Sequence, residues 1–77
     1  MFIVTYAQYD PLSTELYHCV SGVFNTREAA VTHCQEGAKQ ASSYYEEGVA
    51  TLEESEDEWV ITATDGFTMS YKVSDNI

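Results

Sequence analysis

The sequence predicts an α+β fold: a small antiparallel β-sheet of four to five strands with one α-helix packed on one face, in the order β-β-α-β-β(-β). Three observations predict it. Runs rich in β-branched and aromatic residues lie in both halves of the chain. One central segment carries small residues at helical spacing. An Asp-Gly pair joins two alternating runs near the end. One helix on one antiparallel sheet is the simplest arrangement that buries every apolar stripe. The 77 residues are enough for one domain spanning 1–77, with a thin core.

"FIVTYAQY" (2–9) reads as the first strand. "DPLS" (10–13) has Asp and Pro in type I turn order, and "TELYHCVSGVF" (14–24) returns as the second strand. Gly22 suggests a bulge or bend near its end. Residues 25–48 read as the helix, with Asn25 and Glu28 spaced as a capping box and Phe24 placed to staple toward Ala29. Ala30, Cys34, Ala38, Ala41 and Tyr45 share one face, so the helix can lie close to a sheet. Gly37 weakens its middle by about 1 kcal/mol relative to Ala, and Gly48 suits the residue after its end.

"VATLEE" (49–54) fits either a third strand or an irregular exit from the helix. "EWVITAT" (58–64), Asp65-Gly66 and "FTMSYKV" (67–73) predict a type I′ hairpin. Trp59, Ile61 and Ala63 alternate onto one face, as do Phe67, Met69, Tyr71 and Val73, and these are expected to face the helix.

Thirteen acids against three bases give a formal charge of −10. Such a chain has few cations for phosphates, which argues against direct nucleic-acid binding and against an anionic membrane surface. Basic proteins and cations remain as partners. The opening "MFIVTYAQYD" reads as neither a signal peptide nor a membrane span, so the expected location is the cytoplasm, with Cys19 and Cys34 as reduced thiols.

The chemistry-bearing residues form no catalytic pattern. His18-Cys19 and His33-Cys34 carry good zinc ligands at poor spacing, since strand neighbours point to opposite faces and helix neighbours diverge by about 100°. Cys34 sits on the apolar stripe, which suits packing better than an activated thiolate. "ESEDE" lacks the alternating spacing of an EF-hand loop. No hydrolase order and no Gly-rich phosphate loop occurs. The expectation is a non-enzymatic protein without metal or cofactor.

The six tyrosines exceed what so small a core can hold. Some are expected on the sheet face away from the helix, where rigid aromatic area suits a binding surface or a homodimer. The strongest feature is "LEESEDEW" (52–59), with five carboxylates in six positions. Glu46, Glu47, Glu53, Glu54, Glu56, Asp57, Glu58 and Asp65 lie between Lys39 and Lys72 with no base among them, and they predict one strongly negative end. Alternate residues of an extended strand lie roughly 6.6–6.8 Å apart on one side. Carboxylates at that pitch can imitate phosphates and occupy a Lys/Arg groove. An exposed aromatic, Tyr44 or else Trp59, would anchor the contact.

This short, acidic layout resembles bacteriophage-encoded host-takeover proteins: anti-CRISPR proteins, antirestriction proteins and the uracil-DNA glycosylase inhibitors that mimic DNA. "MFIVTYAQYD" and the junction "GVFNTREAAVTHC" are similar to small phage proteins in which a strand runs into a capped helix. The resemblance implies an inhibitor of a basic nucleic-acid-binding protein, such as a CRISPR effector or restriction enzyme, in the host cytoplasm. The alternative is a general interaction module or homodimer that pairs through a tyrosine-bearing sheet face or an edge strand, with the acids serving solubility.

Overall fold

The computed structural model describes residues 1–75; Asn76 and Ile77 lie outside the described residues. Five strands and one helix follow in order: β1 (Phe2–Asp10), β2 (Glu15–Phe24), α1 (Arg27–Ser43), β3 (Ala50–Glu54), β4 (Glu58–Ala63) and β5 (Thr68–Asp75). The strands form one antiparallel sheet in the order β2-β1-β5-β4-β3. The expected α+β architecture is therefore the observed one, and residues 50–54 are a true strand.

Alternation decides the two faces. Val4, Trp59, Ile61 and Val73 meet Ala30, Cys34, Ala38 and Ala41 in the core, so this face of the sheet carries the helix. All four helix residues are small, which lets α1 sit close on β5 and β4. Gly37 shows why closeness matters. A Cβ there would lie 2.7 Å from Cζ of Tyr71, so the glycine that weakens the helix also makes room for a ring of the central sheet. Phe67, Met69 and Tyr71 are half-buried where full burial would need a wider helical cover.

The helix departs from expectation at both ends. The N-cap is Thr26, not Asn25: its backbone is extended, and its Oγ1 accepts from the Ala29 amide at 3.1 Å. Glu28 then falls one place short of a capping box. Phe24 packs on the ring of His33, with centroids 5.1 Å apart, and not on the exposed Ala29. The helix stops at Ser43, with Tyr44 as C-cap, five residues before Gly48. Extension would carry Glu46 and Glu47 onto the negative end of the helix dipole, and the last turn has no basic residue to offset them. Gly48 serves a later turn, with φ +86° and the Val49 amide donating to the Glu46 carbonyl at 3.0 Å.

The β4–β5 hairpin forms where expected with a different turn. Three residues, 64–66, close it. The Gly66 amide donates to Ala63 O at 2.9 Å, and the Ala63 amide donates to Phe67 O at 2.9 Å. Gly66 has φ +93° and Asp65 does not enter the left-handed region. This is a type I turn followed by a glycine bulge, not type I′. The Asp65 carboxylate selects it by accepting from the Phe67 amide at 2.9 Å. The expected irregularity in β2 is present: the register with β1 shifts between Val4 and Thr5, leaving Ser21 as the extra residue beside Gly22.

Candidate functional site

The acid run folds into a corner of the sheet. β3 is an outer strand paired only with β4, and there Glu53 stands opposite Val60 and Glu54 opposite Trp59. Trp59 faces the helix, so Glu54 does too, while Glu53 and Glu58 lie on the open face. Glu56 and Asp57 occupy the turn between β3 and β4. The carboxylates therefore wrap around an edge and do not line one side of it. Glu53, Glu54, Glu56 and Asp57 are exposed, and Glu58 is half-buried.

The turn backbone is pinned. The Ser55 amide and hydroxyl both donate to Glu58 O, at 2.9 and 3.1 Å, and the Val73 amide donates to Asp57 O at 2.9 Å. Arg27, at the start of α1, donates from one guanidinium nitrogen to Glu56 O at 2.7 Å and to Asp57 Oδ1 at 2.8 Å. The bond to Asp57 holds the guanidinium pKa above its ordinary value. Lys72 stands opposite Glu58 across β5 and β4. Two of the three basic residues thus attend a run that has no base near it in sequence.

Glu46, Glu47 and Asp65 are exposed at the other end of β3 and β4, beside the 44–49 loop and the 64–66 turn. The length of β3 separates the two groups, roughly 14 Å at ~3.4 Å per residue. That exceeds the ~8 Å Debye length at physiological ionic strength, so they act as two patches and not as the single negative end expected. Tyr44 is exposed at the helix C-terminus, with the second group.

Of the tyrosines, Tyr9 extends from the open face, and Tyr71 faces the helix as its alternation predicts; Tyr6 and Tyr17 are on the helix side too, so the open face carries fewer tyrosines than a tyrosine-rich surface would need. The rings of Tyr6 and Tyr71 pack at a 53° tilt with centroids 5.0 Å apart, and Tyr6 donates to Gln8 Oε1 at 2.9 Å. Burial raises the pKa of both phenols, with smaller contributions from neighbouring phenols and thiols. A hydrogen bond with Cys19 raises that of Tyr17. Trp59 is buried in the core, with no hydrogen-bond partner for Nε1 among the described residues, so it cannot anchor a partner.

The His-Cys pairs do not converge. His18 is on the open face, Cys19 is half-buried on the helix side, and His33 Nε2 lies 2.8 Å from Ser21 Oγ. Burial pushes the Cys34 thiol up to about 11, which keeps it protonated and unreactive at neutral pH. Among the described residues no three His, Cys, Asp or Glu side chains group to hold a metal ion. A shallow concavity of about 430 Å³ lies on the open face, bordered by Thr5, His18, Glu58, Ser70 and Lys72. No described helix is long and apolar enough to cross a membrane. Neither family models, curated proteins nor solved structures give a match to this chain.

Proposed function

We propose that the protein acts by binding and not by catalysis, as an acidic inhibitor that enters the Lys/Arg groove of a basic nucleic-acid-binding protein. Phage counter-defence is the setting that suits such an inhibitor best. The observation that carries this reading is the corner formed by Glu53, Glu54, Glu56, Asp57 and Glu58, whose backbone is tied down by Ser55, Arg27 and Val73. Five carboxylates share the corner with one ion-paired cation, Arg27, and with Lys72 opposite Glu58, so the corner stays negative after the Arg27–Asp57 pair is formed. Because the turn is already ordered, a partner loses little to freezing it. Acids on both sides of an edge suit insertion into a groove better than contact with a flat surface.

The corner works through its field, with each exposed acid contributing on the order of 1 kcal/mol or less. Replacing Glu54 alone with Gln is expected to weaken binding slightly. Replacing all five acids with Gln or Asn is expected to lower the association rate by tenfold or more and to flatten its salt dependence. The test captures bacterial lysate proteins on the immobilised chain, elutes them with duplex DNA, and measures binding kinetics of the eluted protein at two salt concentrations. A folded fivefold variant that binds as fast as wild type would overturn the proposal.

A further inference from the structure

The sheet has a second outer strand, and its chemistry is the reverse of the acid corner. β2 runs ten residues and pairs only with β1. From Leu16 through Phe24 it contains no Asp, Glu, Lys, Arg or Pro. Exposed strand edges are ordinarily guarded by charge, proline or shortness, because their outward N–H and C=O groups accept another strand. Of the usual guards β2 has only the bulge at Ser21, near one end. Apolar side chains flank the edge on both sides: Leu16, Val20 and Val23 are 63%, 61% and 53% exposed on the open face, and Tyr17 is 55% exposed on the helix side.

We infer that β2 is the interface of a homodimer, in which two copies pair β2 to β2 in antiparallel fashion and join their sheets into one of ten strands. The charge pattern selects a second copy as the occupant. A chain of net charge −10 repels its own kind at every acid-bearing surface. Pairing through β2 sets uncharged residues 16–24 against the same residues and sends both acid corners to the far ends of the joined sheet. Length also fits. Nine steps of ~3.4 Å give β2 a span of about 31 Å, close to the longest dimension of 36 Å. The 17 Å thickness includes the helix layer, so a strip that long covers at most on the order of 500 Å² per copy, at the weak end for protein interfaces. The dimer is accordingly reversible. This inference is independent of the proposed inhibition, which uses the opposite edge.

Sedimentation equilibrium of the intact chain over a concentration series, at low and moderate salt, tests it. A monomer–dimer equilibrium that tightens with salt is expected, because salt screens the residual repulsion between copies. Binding at the acid corner weakens with salt, so the two interactions are separable. Val20→Glu, at an exposed position near the middle of the strand, is expected to weaken dimerisation tenfold or more while the chain stays folded by circular dichroism. Amide hydrogen exchange of wild type supplies a reading that needs no variant: protection of outward β2 amides is expected to rise with protein concentration while β3 is unchanged. A monomer at every concentration overturns the inference, and this includes the case in which β2 takes a strand from another protein. A dimer protected at β3 or on the open face, or a folded Val20→Glu chain that dimerises as wild type does, overturns it equally.

Discussion

The two outer strands of this sheet face the same physical problem and meet it oppositely. β3 is five residues long and ends in Glu53 and Glu54; β2 is ten residues long and uncharged from Leu16 onward. An edge with its hydrogen-bonding groups free is either blocked or used. Shortness and carboxylates block β3 against strand addition, while its acids remain available to a basic surface. β2 is left able to take a strand. The difference teaches that acidity in this chain is local: past Glu15 at its start, β2 carries none along the edge where repulsion would prevent pairing.

The largest expected effect comes from removing the block. Glu53→Thr with Glu54→Thr turns β3 into a second edge of β-forming residues. A molecule with two pairing edges no longer closes as a dimer and grows into open assemblies. Light scattering at the concentrations that populate the inferred wild-type dimer is expected to report high-mass species for the double variant. A double variant that keeps the wild-type mass would break the comparison, because β3 would then owe its isolation to something other than its acids.

A smaller effect probes the core that holds both edges in place. Gly37→Ala relieves a helix penalty of about 1 kcal/mol, yet its Cβ would stand 2.7 Å from Cζ of Tyr71. Crowding of this kind costs about 1–3 kcal/mol, so net destabilisation is expected in urea unfolding. A stabilised variant would mean that Tyr71 swings away at little cost, and that the helix-to-sheet distance is not set by this contact. The smallest effect sharpens the acid corner. Arg27→Gln removes an ion pair whose side chains are 44% and 58% exposed, so only a small drop in melting temperature is expected, one that fades with salt. A larger loss of stability would assign the ordering of the turn chiefly to the bond between Arg27 and Glu56 O.

The parts of the fold that were legible in the sequence are those set by repetition. The stripe of Ala30, Cys34, Ala38 and Ala41 and the alternation of Trp59, Ile61 and Ala63 both emerge from periodicity, and both are buried as expected. Asp65-Gly66 located the hairpin but not its turn type, because the Asp65 side chain adds a bond that the dipeptide rule omits. Asn25 and Thr26 are both capable caps, and only three-dimensional placement of the helix chooses between them. At the candidate site, the opposite sides of Glu53 and Glu54 follow from strand alternation once β3 is known to be a strand. The link from Arg27 to Asp57, thirty residues apart, has no local signature. Tyr71 follows from strand alternation and lies on the helix side as expected, where Gly37 makes room for it; the number of tyrosines suggested overflow to the open face, yet Tyr6 and Tyr17 lie on the helix side as well.

The strand order has a consequence for how the molecule is built in time. β1 and β5, the first and last strands in sequence, lie side by side at the centre of the sheet, with Phe2 opposite Asp75. The β1–β2 hairpin, the helix and the β3–β4–β5 meander each form from near neighbours, at small cost in loop closure. Joining them requires contacts across most of the chain, the slow kind of contact in folding. During synthesis the inner side of β1 has no native strand beside it until β5 leaves the ribosome. Until then the β1–β2 hairpin has two edges without a native neighbour. The middle of the sheet is thus the part that needs nearly the whole chain, and the β1–β5 pairing is the contact that costs the most loop closure.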